Sequence, residues 1–98
     1  MDNFLIWSDR ALDEYNKLQN YLYAEWGDEI TQRVIGEITQ TIARIQNSPE
    51  QFPFFRKNRK IRRCVASPQT SIFFNVNKNR IEIMSVFDNR QNPKKRKL

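Results

Sequence analysis

The stretch Arg56 to Arg63 reads RKNRKIRR, six cations in eight residues. Its chemistry is electrostatic: planar guanidinium groups grip phosphate oxygens in pairs, and Lys adds point charges on flexible stems. A Lys- and Arg-rich edge strand is also a common protection against strand-to-strand aggregation. Binding is the better reading, because positive charge accumulates again downstream and in the terminal Lys94-Lys95-Arg96-Lys97. Strand alternation sets Ile61, Arg63 and Val65 on one face, with Arg62, Cys64 and Ala66 on the other. Arg62 is expected to be exposed, and Arg63 to pack its stem near the sheet edge.

A second group is Asp88-Asn89-Arg90. An Asp beside arginines either acts as a base or pairs with them. Pairing is the commoner outcome, since nearby cations depress the carboxyl pKa and make a poor base. There is no His in the chain, so acid–base chemistry has no imidazole to use. Cys64 is the single cysteine and reads as an inert packing residue in a strand. Phe52, Phe54 and Phe55 surround Pro53. They could stack on bases, but aromatics near a proline more often plug the end of a core or meet a partner protein. No metal-ligand set, Gly-rich phosphate loop or nucleophile triad is present, and no cofactor is expected.

These residues sit on a chain of uneven charge. Residues 56–98 carry 13 Lys and Arg against two acids, whereas residues 1–55 carry four against nine. A basic half suggests a polyanionic partner: nucleic acid, a nucleoprotein surface or an acidic protein segment. Ninety-eight residues make one domain with a modest core. The expected organisation is a single domain over 1–93 with a basic tail at 94–98. One cysteine allows no internal disulfide, apolar runs are too short to span a bilayer, and the start lacks the layout of a signal peptide. A cytoplasmic protein is expected.

The elements that must position the basic residues are legible from periodicity. Asn3 to Trp7 reads as a strand, and Ser8 as a helix N-cap with Asp9 at the positive end of the dipole. Ala11, Tyr15, Leu18 and Leu22 form one apolar helical stripe; Ile30, Val34, Ile38, Ile42 and Ile45 form a second. Gly27 divides them, and Asn47-Ser48-Pro49 ends the second. The expectation is two antiparallel helices, 9–26 and 28–47, followed by a loop from Glu50 to Asn58. Three strands come next: Ile61 to Ala66, Ser71 to Val76 and Ile81 to Phe87, the last two joined by a tight turn at Asn77 to Arg80. Ile72, Phe74 and Val76 share a face, as do Ile81, Ile83, Ser85 and Phe87. The fold class is α+β, in the order β-α-α-β-β-β, with a helical hairpin on one face of an antiparallel sheet.

Several segments, in order, resemble the RelE/ParE superfamily of type II toxin–antitoxin toxins, the plasmid-stabilisation type. WSDRALDEYNKLQNYL (Trp7 to Leu22) looks like its opening strand and helix, and NSPEQFP (Asn47 to Pro53) like the loop after its second helix. Arg62-Arg63, SIFFNV (Ser71 to Val76) and IEIMSVFDNRQNP (Ile81 to Pro93) match its Arg-bearing strand, aromatic strand and final strand with basic turn.

The resemblance implies a growth-inhibiting toxin held inactive by a cognate antitoxin, an acidic or amphipathic segment that folds on binding. In RNA-cleaving members of the RelE type, Lys and Arg surround the scissile phosphate, with a Tyr or His just after the last strand. Lys60, Arg62 and Arg90 occupy places like that basic set and are the catalytic residues implied for a ribonuclease. However, Ser71 stands where a further Arg is expected, and no Tyr follows Tyr23. ParE-type members, which act on DNA gyrase, do not depend on that set. The reading favoured is therefore a ParE-like, gyrase-directed toxin without nuclease chemistry. The alternatives are a RelE-like, metal-independent, ribosome-dependent mRNA endoribonuclease and a stand-alone basic nucleic-acid-binding module. Arg56, Lys57, Arg59, Lys60, Arg62, Arg63 and Arg90 are the expected contacts to a target or to nucleic acid.

Overall fold

The computed structural model describes residues 3–91; the expected basic tail at 94–98 lies outside them. The chain runs from strand β1 (Phe4–Trp7) into helix α1 (Asp9–Asn47). A single 3-10 turn (Pro49–Gln51), strand β2 (Phe54–Arg56) and a second 3-10 turn (Lys57–Arg59) follow. Strands β3 (Ile61–Ser67), β4 (Thr70–Asn77) and β5 (Arg80–Asp88) complete it. Ser8 caps α1 as its sequence position requires: its Oγ accepts from the Ala11 amide at 3.0 Å and donates to the Met84 carbonyl at 3.1 Å.

The expected pair of separate helices is here one helical element of 39 residues, broken only at Gly27 (φ 84°, ψ 178°). A straight helix of that length would run about 58 Å at ~1.5 Å per residue, yet the longest extent of the molecule is 39 Å. The element must therefore turn at Gly27. Its two ends also return to β1: Ser8 follows Trp7 directly, while Asn3 and Gln46 exchange hydrogen bonds of 2.9 and 2.8 Å near the other end. The apolar stripes do what their spacing implied. Ala11, Leu18, Leu22, Val34, Ile38 and Ile45 are buried in one core, with Tyr15, Ile30 and Ile42 packed against it.

The Gly27 dihedrals are essentially closed to residues with a Cβ. In an ordinary helix interior Gly→Ala stabilises by about 1 kcal/mol. At position 27 the sign reverses: Gly27→Ala is expected to cost about 1–3 kcal/mol, read as a lower midpoint in urea unfolding, even though a Cβ there would meet no neighbour within 4 Å.

The sheet has five strands in the order β1-β5-β4-β3-β2 and corrects the sequence reading twice. It is mixed, because β1 pairs in parallel with β5, Leu5 against Ile81 and Trp7 against Ile83. The apolar run of β1 carries no mark of its direction. The stretch expected as a loop also supplies β2, which pairs with β3, Phe54 against Arg62.

The α1-facing core takes Cys64, Ile72, Phe74, Ile81, Ile83 and Val86 from the strands. A smaller cluster of Ile61, Phe73 and Phe87, with Phe55 and Met84 packed against it, lies on the opposite face. Phe87 was expected to share a face with Ile81 and Ile83. It does not, because the β4–β5 register shifts: Phe73 pairs with Ser85 but Phe74 pairs with Ile83. Met84 is the extra residue, and past this one-residue bulge Val86 joins the α1-facing core while Phe87 turns to the other face. No helix among the described residues is long and apolar enough to cross a membrane.

Candidate functional site

The basic segment is built around the entry to β3. Lys57–Arg59 makes one 3-10 turn, closed by Lys60 in the left-handed conformation (φ 56°, ψ 34°). The Lys60 amide donates to the Lys57 carbonyl at 3.1 Å. Arg56, Lys57, Arg59 and Lys60 are all exposed, and the Arg56 guanidinium lies 5.2 Å from the Phe55 ring centre.

Arg62 and Arg63 point to opposite faces, as alternation requires. Both are only half-exposed, and the expectation of an exposed Arg62 is corrected. Its Nη1 donates to the Phe52 carbonyl at 2.6 Å, and its guanidinium sits 4.0 Å from the Phe54 ring centre. The loop after α1 left backbone carbonyls to be satisfied, and Arg62 is within reach of them. Arg63 lies on the other face, where its Nε donates to Ser71 Oγ at 3.1 Å. The three phenylalanines divide similarly. Phe52 meets Phe74 edge-on in the α1-side core, Phe55 meets Phe73 edge-on in the other cluster, and Phe54 is 43% exposed.

Arg90 belongs to a different part of the molecule. Its Nε and Nη2 donate to the two carboxylate oxygens of Asp88 at 2.9 and 2.8 Å, and its own amide donates to Oδ1 at 2.9 Å. Thr70 Oγ1 also donates to this carboxylate, and Tyr21 Oη donates to the Arg90 carbonyl at 2.6 Å. The Asp88 side chain is fully buried and that of Arg90 is 16% exposed. Burial alone would raise the Asp88 pKa. The hydrogen bonds from Arg90 and Thr70, with the Arg90 charge, outweigh burial and hold the carboxyl below its ordinary value. Such a group is a structural anion and not a base. The Asp88 bond in turn raises the Arg90 pKa.

Lys60, Arg62 and Arg90 therefore do not share one surface. Arg62 stands opposite Phe74 and Ile61 opposite Asn75, whereas Arg90 is fastened beside Thr70, the first residue of β4. Four strand residues from Thr70 to Phe74 at ~3.3 Å each separate Arg62 from that end by roughly 13 Å, and Lys60 lies further still. Burial pushes the Cys64 thiol up, against the lowering effect of Arg44, which keeps it protonated and unreactive. Among the described residues no group of three His, Cys, Asp or Glu is placed to hold a metal ion.

Two features escaped the sequence reading. Glu14 fastens α1 to the sheet: its Oε1 accepts from Ser85 Oγ at 2.6 Å and from the Val86 amide at 3.2 Å, just past the bulge. Nothing in the sequence announces a bulge at Met84, so nothing announced its carboxylate partner. Lys78 and Arg80 were also left out of the basic set. Pairing of Asn77 with Arg80 brings both to the end of the sheet where Lys60 lies, and the turn signal at Asn77 to Arg80 was the available clue.

A family model described as the ParE toxin of the type II toxin–antitoxin system parDE matches residues 5–93. No curated protein matches the chain. Among solved structures, the chromosomal ParDE TA system from P. aeruginosa aligns with a TM-score of 0.74 at 16% identity, over 88% of this chain and 95% of that one. The YoeB/ParE toxin from Agrobacterium tumefaciens aligns with a TM-score of 0.61 at 10% identity, over 87% and 96%. A conserved hypothetical protein from Helicobacter pylori gives 0.60 at 15% identity, over 90% and 96%. At these identities the structural likeness establishes the fold.

Proposed function

The chain belongs to the ParE toxin family of type II toxin–antitoxin systems, and we propose that it inhibits growth by binding DNA gyrase, without cutting RNA. Membership in this family implies a cognate antitoxin as partner. The observation that carries the choice of mechanism is the placement of Arg90. In a ribonuclease, Lys60, Arg62 and Arg90 would have to converge on one phosphate, because stabilising developing charge requires donors within about 3 Å of it. Here Arg90 is committed to buried Asp88, and Arg62 is committed to the Phe52 carbonyl. Neither guanidinium is free, and the strand positions that carry them lie roughly 13 Å apart. A surface of exposed Arg56, Lys57, Arg59 and Lys60 suits binding better than catalysis.

The test is what happens in cells expressing the chain without its antitoxin. Blocked supercoiling and DNA damage are expected, with no new 5′ ends inside codons when mRNA is mapped by primer extension. Discrete codon-internal ends that disappear in Lys60→Ala, an exposed position, would instead establish ribosome-dependent cleavage.

A further inference from the structure

We propose that the end of the sheet formed by the Lys57–Arg59 turn, Lys60 and the β4–β5 turn is a docking face for single-stranded nucleic acid, gripped through its phosphodiester backbone. This inference stands whether or not gyrase is the toxin's target.

The first support is charge. Lys57, Arg59, Lys60, Lys78 and Arg80 are all exposed, and among the described residues none of the five takes part in an ion pair. Sheet pairing gathers them: Ile61 stands against Asn75, and Asn77 against Arg80, so the start of β3 and the β4–β5 turn share one end. From β2 across to β5 is three strand spacings of ~4.8 Å, about 14 Å.

The second support is backbone conformation. Only two non-glycine residues among those described have positive φ, and both are lysines of this face: Lys60 at 56° and Lys78 at 59°. Left-handed positions favour Gly, or Asn at some remove, because a Cβ crowds the following carbonyl. Asn58 and Asn79 stand close by in sequence, yet the strained positions carry Lys. Charge is thus placed where the fold alone would favour Gly.

The third support selects nucleic acid over an acidic peptide. Phe54 is 43% exposed and borders a shallow cavity with Lys57, Lys60, Arg62 and Val76. The Arg62 guanidinium lies 4.0 Å from its ring centre, and the exposed remainder of the ring, set among cations, offers a base a stacking surface while its phosphates are held.

The test measures binding of the full chain to a labelled oligothymidylate across a salt series, beside a labelled polyglutamate. Lys60→Gly/Lys78→Gly is expected to weaken oligothymidylate binding. Its plot of log K against log salt should be shallower by about 1.4, at ~0.7 per lost single-strand phosphate contact, while the urea midpoint rises. Phe54→Leu should remove the preference for oligothymidylate over polyglutamate. Three results would overturn the proposal. One is unchanged affinity and slope in the double variant, placing binding elsewhere. Another is a double variant that loses affinity and stability together. The third is polyglutamate bound as tightly as oligothymidylate by the unmodified chain.

Discussion

Arg90→Ala is expected to destabilise the fold by about 3–5 kcal/mol, because it strands a buried carboxylate without its charge partner. Few single changes to a polar residue outside the core should cost as much. Asp88 is fully buried at its side chain, and Thr70 with the Arg90 amide cannot replace a bidentate guanidinium. Asp88→Asn removes the charge and keeps much of the shape, so it should cost less. In Asp88→Asn/Arg90→Ala the second change should then cost far less than it does alone. Urea unfolding of the four proteins measures this coupling.

The pH dependence follows from the same pair. The folded Asp88 pKa is lowered relative to an unfolded value of ~3.9. Its contribution to stability is therefore present above about pH 4 and is lost as pH falls through the folded pKa. Asp88→Asn should flatten that acid limb of the stability curve. In Arg90→Ala the penalty should shrink as pH falls, since protonation removes the stranded charge. This matters for functional tests, because a loss of toxicity in Arg90→Ala reports unfolding before it reports a missing contact.

Much of this architecture was legible from residue spacing. Both apolar stripes of α1, the Ser8 cap, the strand positions and the shared face of Ile72, Phe74 and Val76 needed only period and chemistry. What was missed shares a physical cause, namely pairing between residues far apart in sequence. β1 carries no mark of its parallel partner, and β2 is three residues long, too short to show alternation. Met84 is an ordinary strand residue until the Phe73–Ser85 register is known. The candidate site was legible in composition and not in geometry. RKNRKIRR announced a basic surface, but which guanidiniums are free depends on tertiary partners: the Phe52 carbonyl for Arg62, Ser71 for Arg63 and Asp88 for Arg90.

Phe73→Ala is the substitution on which sequence and structure disagree most, and it should cost about 3–5 kcal/mol. Alternation assigns Phe73 to the face opposite Ile72 and Phe74, which in a sheet with one helical layer would be wet. A solvent-facing aromatic would lose little on truncation, well under 1 kcal/mol. In the structure Phe73 is 0% exposed. Ile61 and Phe87 are buried with it, and Phe55 meets its ring edge-on at 4.8 Å. Such a ring carries both its transfer free energy and the cavity left on its removal. Phe74→Ala, in the core beneath α1, should cost a similar amount and serves as the control. Equilibrium unfolding in urea decides it. Comparable losses for both variants establish two working cores, one on each face of the sheet. A loss below 1 kcal/mol for Phe73→Ala alone would mean that the second cluster contributes little to holding β3, β4 and β5 together.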